Sequence, residues 1–288
     1  MDLFQYDFMQ RALVGALVIG LAAPALGIYL VQRRLALIGD GIGHVALTGV
    51  GAGLLLNRSP VLVAVVAAIL GAVTIELVRA RGRTSGDLAL ALLFYGGIAG
   101  GVMLVGLSDA SSANLNAYLF GSLTTTSPAD LATIAVLGAT IAVLMLALRP
   151  ALFAVCHDEE YARVAGLPVR ALNLLLAVAT AVTVTIAMRA VGVLLISALM
   201  VVPVATAQQV TRGFRSTMTA AMALGLFAAG AGVWVAANAD TAPGASVVLL
   251  AIASFLVVAL AAAARRVLRR RATPAVVSAP EPHEVVLR

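Results

Sequence analysis

The chain has 288 residues, of which 62% are apolar and only 11% charged, against the roughly 45–50% and 25% of an ordinary soluble domain. Its formal charge of +6 and pI near 10.4 do not indicate a nucleic-acid binder, because the arginines punctuate apolar runs instead of forming a basic stripe with stacking aromatics. The single cysteine, Cys156, excludes an internal disulfide, and the absence of lysine excludes a self-contained Walker A ATPase, whose lysine reaches the nucleotide phosphates.

The N-terminal segment carries Asp2 and Asp7 and no cation before Arg11, the wrong flank for a cleavable signal peptide, so the first apolar run reads as a retained span. A hydrocarbon core of about 30 Å needs about 20 apolar residues per helix. On that measure spans are expected near 12–32, 36–56, 60–78, 88–107, 129–148, 171–188, 190–208, 217–237 and 244–264. Asp40 and His44 interrupt the second, so the expectation is an all-α membrane bundle of eight to nine spans over residues 1–264.

With the N-terminus outside, the inner loops collect Arg33, Arg34, Arg79, Arg81, Arg83, Arg149, Arg163, Arg170, Arg212, Arg215 and the cluster from Arg265 to Arg271. Only Arg11, Arg58 and Arg189 remain outside, which by the positive-inside rule predicts a cytoplasmic C-terminus in a cell membrane. Residues 265–288 read as a basic cytoplasmic tail, Pro-, Ala- and Val-rich beyond Arg271 and expected to be disordered, with His283 a tail residue. Spans crowded with Gly and Ala predict close helix packing.

Most charges lie at helix ends. Ser127, Pro128 and Asp130 read as a capped helix start, Asp87 opens the fourth span, and Glu76 lies one turn from Arg79. Asp40 and His44 do not escape the membrane in this way, and an ionisable group at that depth costs about 2.5–3.5 kcal/mol on insertion scales. Four residues apart, they share one helix face and suit zinc or manganese better than magnesium or calcium. An Asp–His hydrogen bond that stiffens a helix contact satisfies the same spacing. The glycines around them, Gly39, Gly41, Gly43, Gly49, Gly51 and Gly53, imply either tight packing or local unwinding.

Between the fourth and fifth spans, Ser108 to Thr126 is a polar outer stretch in which Tyr118 and Phe120 suit an interfacial belt or an outer gate. The stretch His157 to Pro168 reads as a short acidic surface helix closed by Gly166, and Pro203 to Thr217 as either a loop or a short polar helix that docks a partner.

Together, Phe8 to Leu13, Arg33 to Asp40 followed by His44 to Leu47, Ala117 to Leu123, Val191 to Leu195, Pro203 to Ala207 and Asp240 to Ser246 resemble the zinc/manganese ABC importer permeases. The resemblance runs in order over residues 8 to 264. It implies a type II importer fold, a homodimer with the path at or near the subunit interface, two separate ATP-binding-cassette subunits, and an extracytoplasmic metal-binding protein. On this resemblance Asp40 and His44 hold Zn²⁺ or Mn²⁺ in transit, with no permanent cofactor. Tyr118 and Ser122 are candidates for the outer gate, Ser122 standing where some relatives place a carboxylate. The segment from Pro203, with Ala207, Gln208, Arg212, Gly213 and Arg215, would couple to the ATPases. The chain itself is not expected to be an enzyme. Rival readings are a permease for cobalamin, haem or siderophore, and a secondary transporter driven by protons or sodium.

Overall fold

The computed structural model describes residues 6–80, 86–108, 118–121, 127–188 and 191–272, and these are helical throughout their regular structure. Eleven helices follow in chain order: α1 (Asp7–Gln32), α2 (Ile38–Leu55), α3 (Pro60–Ala80), α4 (Gly86–Gly106), α5 (Pro128–Ala147), α6 (Arg149–His157), α7 (Glu159–Val164), α8 (Val169–Ala187), α9 (Val193–Gln208), α10 (Phe214–Ala239) and α11 (Pro243–Ala272). Eight of them, all but α6, α7 and α9, are long and apolar enough to cross a membrane.

Burial sorts these eight into centre and shell. Over their apolar windows α1, α2 and α8 are 72%, 67% and 67% buried, whereas α3, α4, α5 and α11 are 28%, 22%, 28% and 17% buried. The shell helices turn Leu62, Val66 and Leu70, then Val136 and Val143, then Leu249, Leu256 and Leu260 outward. In water such stripes would aggregate, and in lipid they are the solvated surface.

Glycine sets the central contacts. A Cβ on Gly27 would lie 1.8 Å from the Met200 carbonyl oxygen of α9, and one on Gly225 of α10 would lie 2.2 Å from the Gly20 carbonyl oxygen of α1. No larger residue permits these backbone approaches, which supply the van der Waals contact that replaces water exclusion as the packing force in lipid.

The expected helix ends are largely met. Ser127 caps α5 by accepting from Asp130 N at 3.1 Å while Ser127 N donates to Asp130 Oδ2 at 3.0 Å, a reciprocal capping box with Pro128 at the first helical position. Arg79 donates to Glu76 at 3.1 Å, the pair expected from their spacing. Asp158 caps α7, and Gly166 follows it at φ +82°, a left-handed position that glycine adopts without a side-chain penalty.

Three elements differ from the sequence expectation. Helix α6 occupies part of what reads as an inner loop, because Arg149-Pro150 starts a new helix directly after α5 and Phe153 packs against Phe214 at 4.8 Å. Helix α11 continues through the basic cluster to Ala272, so residue 264 marks no break in the helix, while residues 273–288, with His283, lie outside the described residues.

The third difference is α9, which has 16 residues and is about 24 Å long, too short to span. Its first residue, Val193, and Val184 of α8 both stand against Gly43 of α2. The α8–α9 turn is therefore level with His44, while α2 runs on from Gly43 to Leu55, about 18 Å further. The segment 118–121 lies against the start of α9: a Cβ on Gly192 would lie 2.4 Å from the Leu119 carbonyl oxygen and 2.6 Å from Phe120 C.

Many of the described arginines gather at one end, with Arg11 and Arg58 toward the other. Arg33, just past α1, donates to Asn173 of α8 at 2.8 Å and to Glu159 of α7, and Asn173 donates to Glu159 at 3.1 Å. Arg33, Arg79, Arg163 and Arg170 line one cavity of about 330 Å³ with Glu76 and Glu159. Phe214, at the start of α10, meets Tyr29 at 5.4 Å, which brings Arg212 and Arg215 to the same end. Arg81, Arg83 and Arg189 lie outside the described residues.

Candidate metal path

Asp40 and His44 occupy one turn near the start of α2, as their spacing requires. The glycines between them pack tightly instead of unwinding, and they do so on two sides. Toward α9, a Cβ on Gly39 would come to 3.2 Å from Ser197 Cβ and one on Gly43 to 3.0 Å from Val193 Cγ2. Toward α4, a Cβ on Gly41 would meet Leu90 Cδ1 at 2.8 Å. From the α4 side, one on Gly97 would lie 2.6 Å from His44 C. Helix α2 is clamped between α4 and α9 with its polar pair at the clamp.

The two side chains have different surroundings. His44 is 8% exposed, its ring meets Phe94 edge-on at 4.4 Å, and its Nδ1 is buried without a hydrogen-bond partner among the described residues. Asp40 is half-buried and accepts a hydrogen bond from Ser197 Oγ of α9. It lines a groove of about 400 Å³ with Leu37, Leu90, Ala91, Phe94 and Tyr95. His44 does not line that groove, and Phe94 touches both. Leu37 and Tyr95 are 64% and 71% exposed, so the groove opens on the side of the bundle.

An imidazole nitrogen without a partner and a carboxylate with one oxygen engaged are donors suited to a divalent transition metal. Two protein donors leave most of a coordination shell to be supplied by water or by further groups. Among the described residues no cluster of three or more His, Cys, Asp and Glu side chains occurs.

The other expected site residues fall in separate places. Tyr118 packs partly buried against the core beside the Gly192 contact, and Ser122 lies outside the described residues. Pro203 and Ala207 are buried within α9, so neither can touch a partner, whereas Gln208, Arg212, Gly213 and Arg215 are exposed at the arginine-rich end. No separate helix forms there: α9 ends at Gln208, a short link follows, and α10 begins at Phe214.

Two features, one at the path and one at the arginine-rich end, were not read from the sequence. Ser197 carries no local motif, and only the glycine spacing of α2 hints that another helix approaches Asp40. On α7, Tyr161 and Val164 are 67% and 85% exposed at the arginine-rich end. Two outward apolar residues in an otherwise charged segment were the available signal.

The profile of the ABC 3 transport family matches residues 5–262. The chelated iron transport system membrane protein YfeD of Yersinia pestis is 33% identical over 258 residues, covering 89% of this chain and 86% of the relative. The manganese transport system membrane protein MntC of Halalkalibacterium halodurans is 29% identical over 255 residues, covering 88% and 87%. Among solved structures, a chain of PsaBC from Streptococcus pneumoniae in complex with Fab superposes with a TM-score of 0.83 at 29% identity, over 93% of this chain and 97% of that one. The expected helical permease architecture is met, and the relatives are transport-system membrane proteins rather than enzymes. On the family profile and these matches, the chain belongs to the ABC 3 transport family, the membrane permeases of metal ABC transporters.

Proposed function

We propose that this chain is the membrane subunit of an ATP-driven importer that moves a divalent transition metal, zinc or manganese, past Asp40 and His44. The observation that carries the reading is the buried His44 Nδ1, without a hydrogen-bond partner among the described residues, one turn from the Asp40 carboxylate. A buried nitrogen without a partner costs about 1–3 kcal/mol, and a passing cation offsets that cost. The relatives' names span manganese and chelated iron, so the metal is argued from the donor chemistry.

Asp40 faces a lateral groove, and a carboxylate turned to lipid is costly. A second copy of the chain set against the α2–α4 face would cover both grooves and bring two Asp–His pairs toward one axis. The arginine-rich end is read as cytoplasmic, which places the end of α11 there with the two ATPase subunits. They would press on Gln208, Arg212, Gly213 and Arg215 and on the exposed Tyr161 and Val164, while buried Pro203 and Ala207 carry the motion into α9. At the other end an extracytoplasmic binding protein would release the metal above segment 118–121, with Tyr118 and Ser122 at the outer gate.

Uptake of radioactive manganese and zinc by cells carrying the permease, its ATPase and its binding protein tests this reading. Asp40→Asn and His44→Ala are each expected to abolish uptake at unchanged membrane abundance. Undiminished uptake by both variants would overturn the path.

A further inference from the structure

We infer that Ser197 is the positioning residue that makes Asp40 a one-oxygen ligand and so sets which cations the path accepts. The inference rests on the metal path through Asp40 and His44 proposed above. Ser197 lies on α9 and is 6% exposed, and its Oγ donates to Asp40 Oδ1 across 157 residues of sequence. Gly39 makes this contact possible, since a Cβ there would already stand 3.2 Å from Ser197 Cβ. Asp40 has no other hydrogen-bond or ion-pair partner among the described residues. Among the described residues, Ser197 is therefore the group that orients the carboxylate before the metal arrives.

A carboxylate has two oxygens, and cation size decides how many it uses. Calcium takes six to eight oxygens and often draws on both oxygens of one carboxylate, whereas zinc is satisfied by four donors that include imidazole nitrogen. With Oδ1 committed to Ser197, Oδ2 is the better-placed metal donor of Asp40, one turn from the His44 Nδ1 that has no hydrogen-bond partner among the described residues. The pair then offers one oxygen and one nitrogen, which favours a transition metal over calcium. Without the hydroxyl, the carboxylate turns freely and grips a large hard ion with both oxygens. Partners that orient a metal ligand are worth about 10- to 100-fold in metal affinity.

Ser197→Ala removes one oxygen and little volume, and Ser197→Thr restores the hydroxyl. Uptake is measured in cells with the complete transporter, at matched membrane abundance, over a range of manganese and of zinc, with and without excess calcium. For Ser197→Ala the expected result is a KM for the transported metal raised about 10-fold or more, together with inhibition by calcium that the parent does not show. Ser197→Thr is expected to move both values back toward the parent. A structural role alone would lower abundance or maximal rate and leave KM and calcium sensitivity unchanged. That outcome overturns the proposal whatever the threonine variant does. Asp40→Asn is run beside these variants: if it still transports, the path itself is wrong, and if it is inactive while Ser197→Ala keeps the parental KM, only the role of Ser197 falls.

Discussion

Gly97 of α4 rests on the backbone of His44, so closely that a Cβ there would stand 2.6 Å from His44 C and 2.7 Å from Val45 N. Its neighbour Gly96 has nothing within 4 Å of the same added atom. Two consecutive glycines thus have opposite roles. Gly97→Ala is expected to push α4 off α2 and destabilise the protein by about 1–3 kcal/mol, with loss of uptake. Gly96→Ala should leave the fold intact or strengthen it by up to about 1 kcal/mol through helix propensity. Thermal unfolding of the purified protein in detergent compares them, and equal effects of the two would contradict this packing.

The ion pair between Arg33 and Glu159 is unequal, since the arginine side chain is 7% exposed and the glutamate 42%. Removing Arg33 leaves a carboxylate that water can reach and that still accepts from Asn173. Removing Glu159 leaves a buried guanidinium with Asn173 as its remaining partner. Glu159→Ala should therefore cost more stability than Arg33→Ala, by about 1 kcal/mol after allowing for screening at the exposed partner. Paired unfolding curves give the order directly.

Cys156 lies on α6, outside the spans, and burial pushes its thiol from the usual 9.0 up to about 11, with Arg33 pulling it down and Glu159 pushing it up. Only the thiolate reacts, so maleimide labelling at pH 8 should be about 100-fold slower than for an unperturbed thiol and should rise about tenfold per pH unit toward pH 11. The sign follows from a folded value above the unfolded one: the fold favours the neutral thiol, and the stability gained from it is lost as pH rises from 9 toward 11. Fast labelling of the native protein at pH 8 would contradict this environment.

Gly192 has φ +92° and ψ 147° just before α9, a backbone region almost confined to glycine, and segment 118–121 lies against it. Gly192→Ala combines about 1–3 kcal/mol of backbone strain with displacement of that segment. The expected result is faster hydrogen exchange at residues 118–121 than in the parent, with α10 and α11 unchanged.

Composition and run length made the membrane bundle legible, because apolar runs of the right length have few alternatives. Ser127 with Asp130 and Glu76 with Arg79 were legible for the same reason, since their contacts are local. Asp40 and His44 stood out as a polar pair in an apolar run. What remained hidden depends on neighbours distant in sequence. Nothing local shows that Ser197 reaches Asp40, that Phe94 lies between the groove and His44, or that Pro203 and Ala207 turn inward. The shortness of α9 was obscured because Ala190 and Val191 continue its apolar run in the sequence, whereas Gly192, at φ +92°, stands just before the first helical residue.

The level start of α9 makes the two sides of the site mechanically unequal. Toward the arginine-rich end, Ser197 and His44 are enclosed by whole helices locked through glycine contacts, and passage there requires rigid rods to shift against one another. Toward the Ser127 end the start of α9 is met by the short segment 118–121 in place of a whole helix. Opening at that end displaces one short segment, whereas opening at the other displaces several packed helices together.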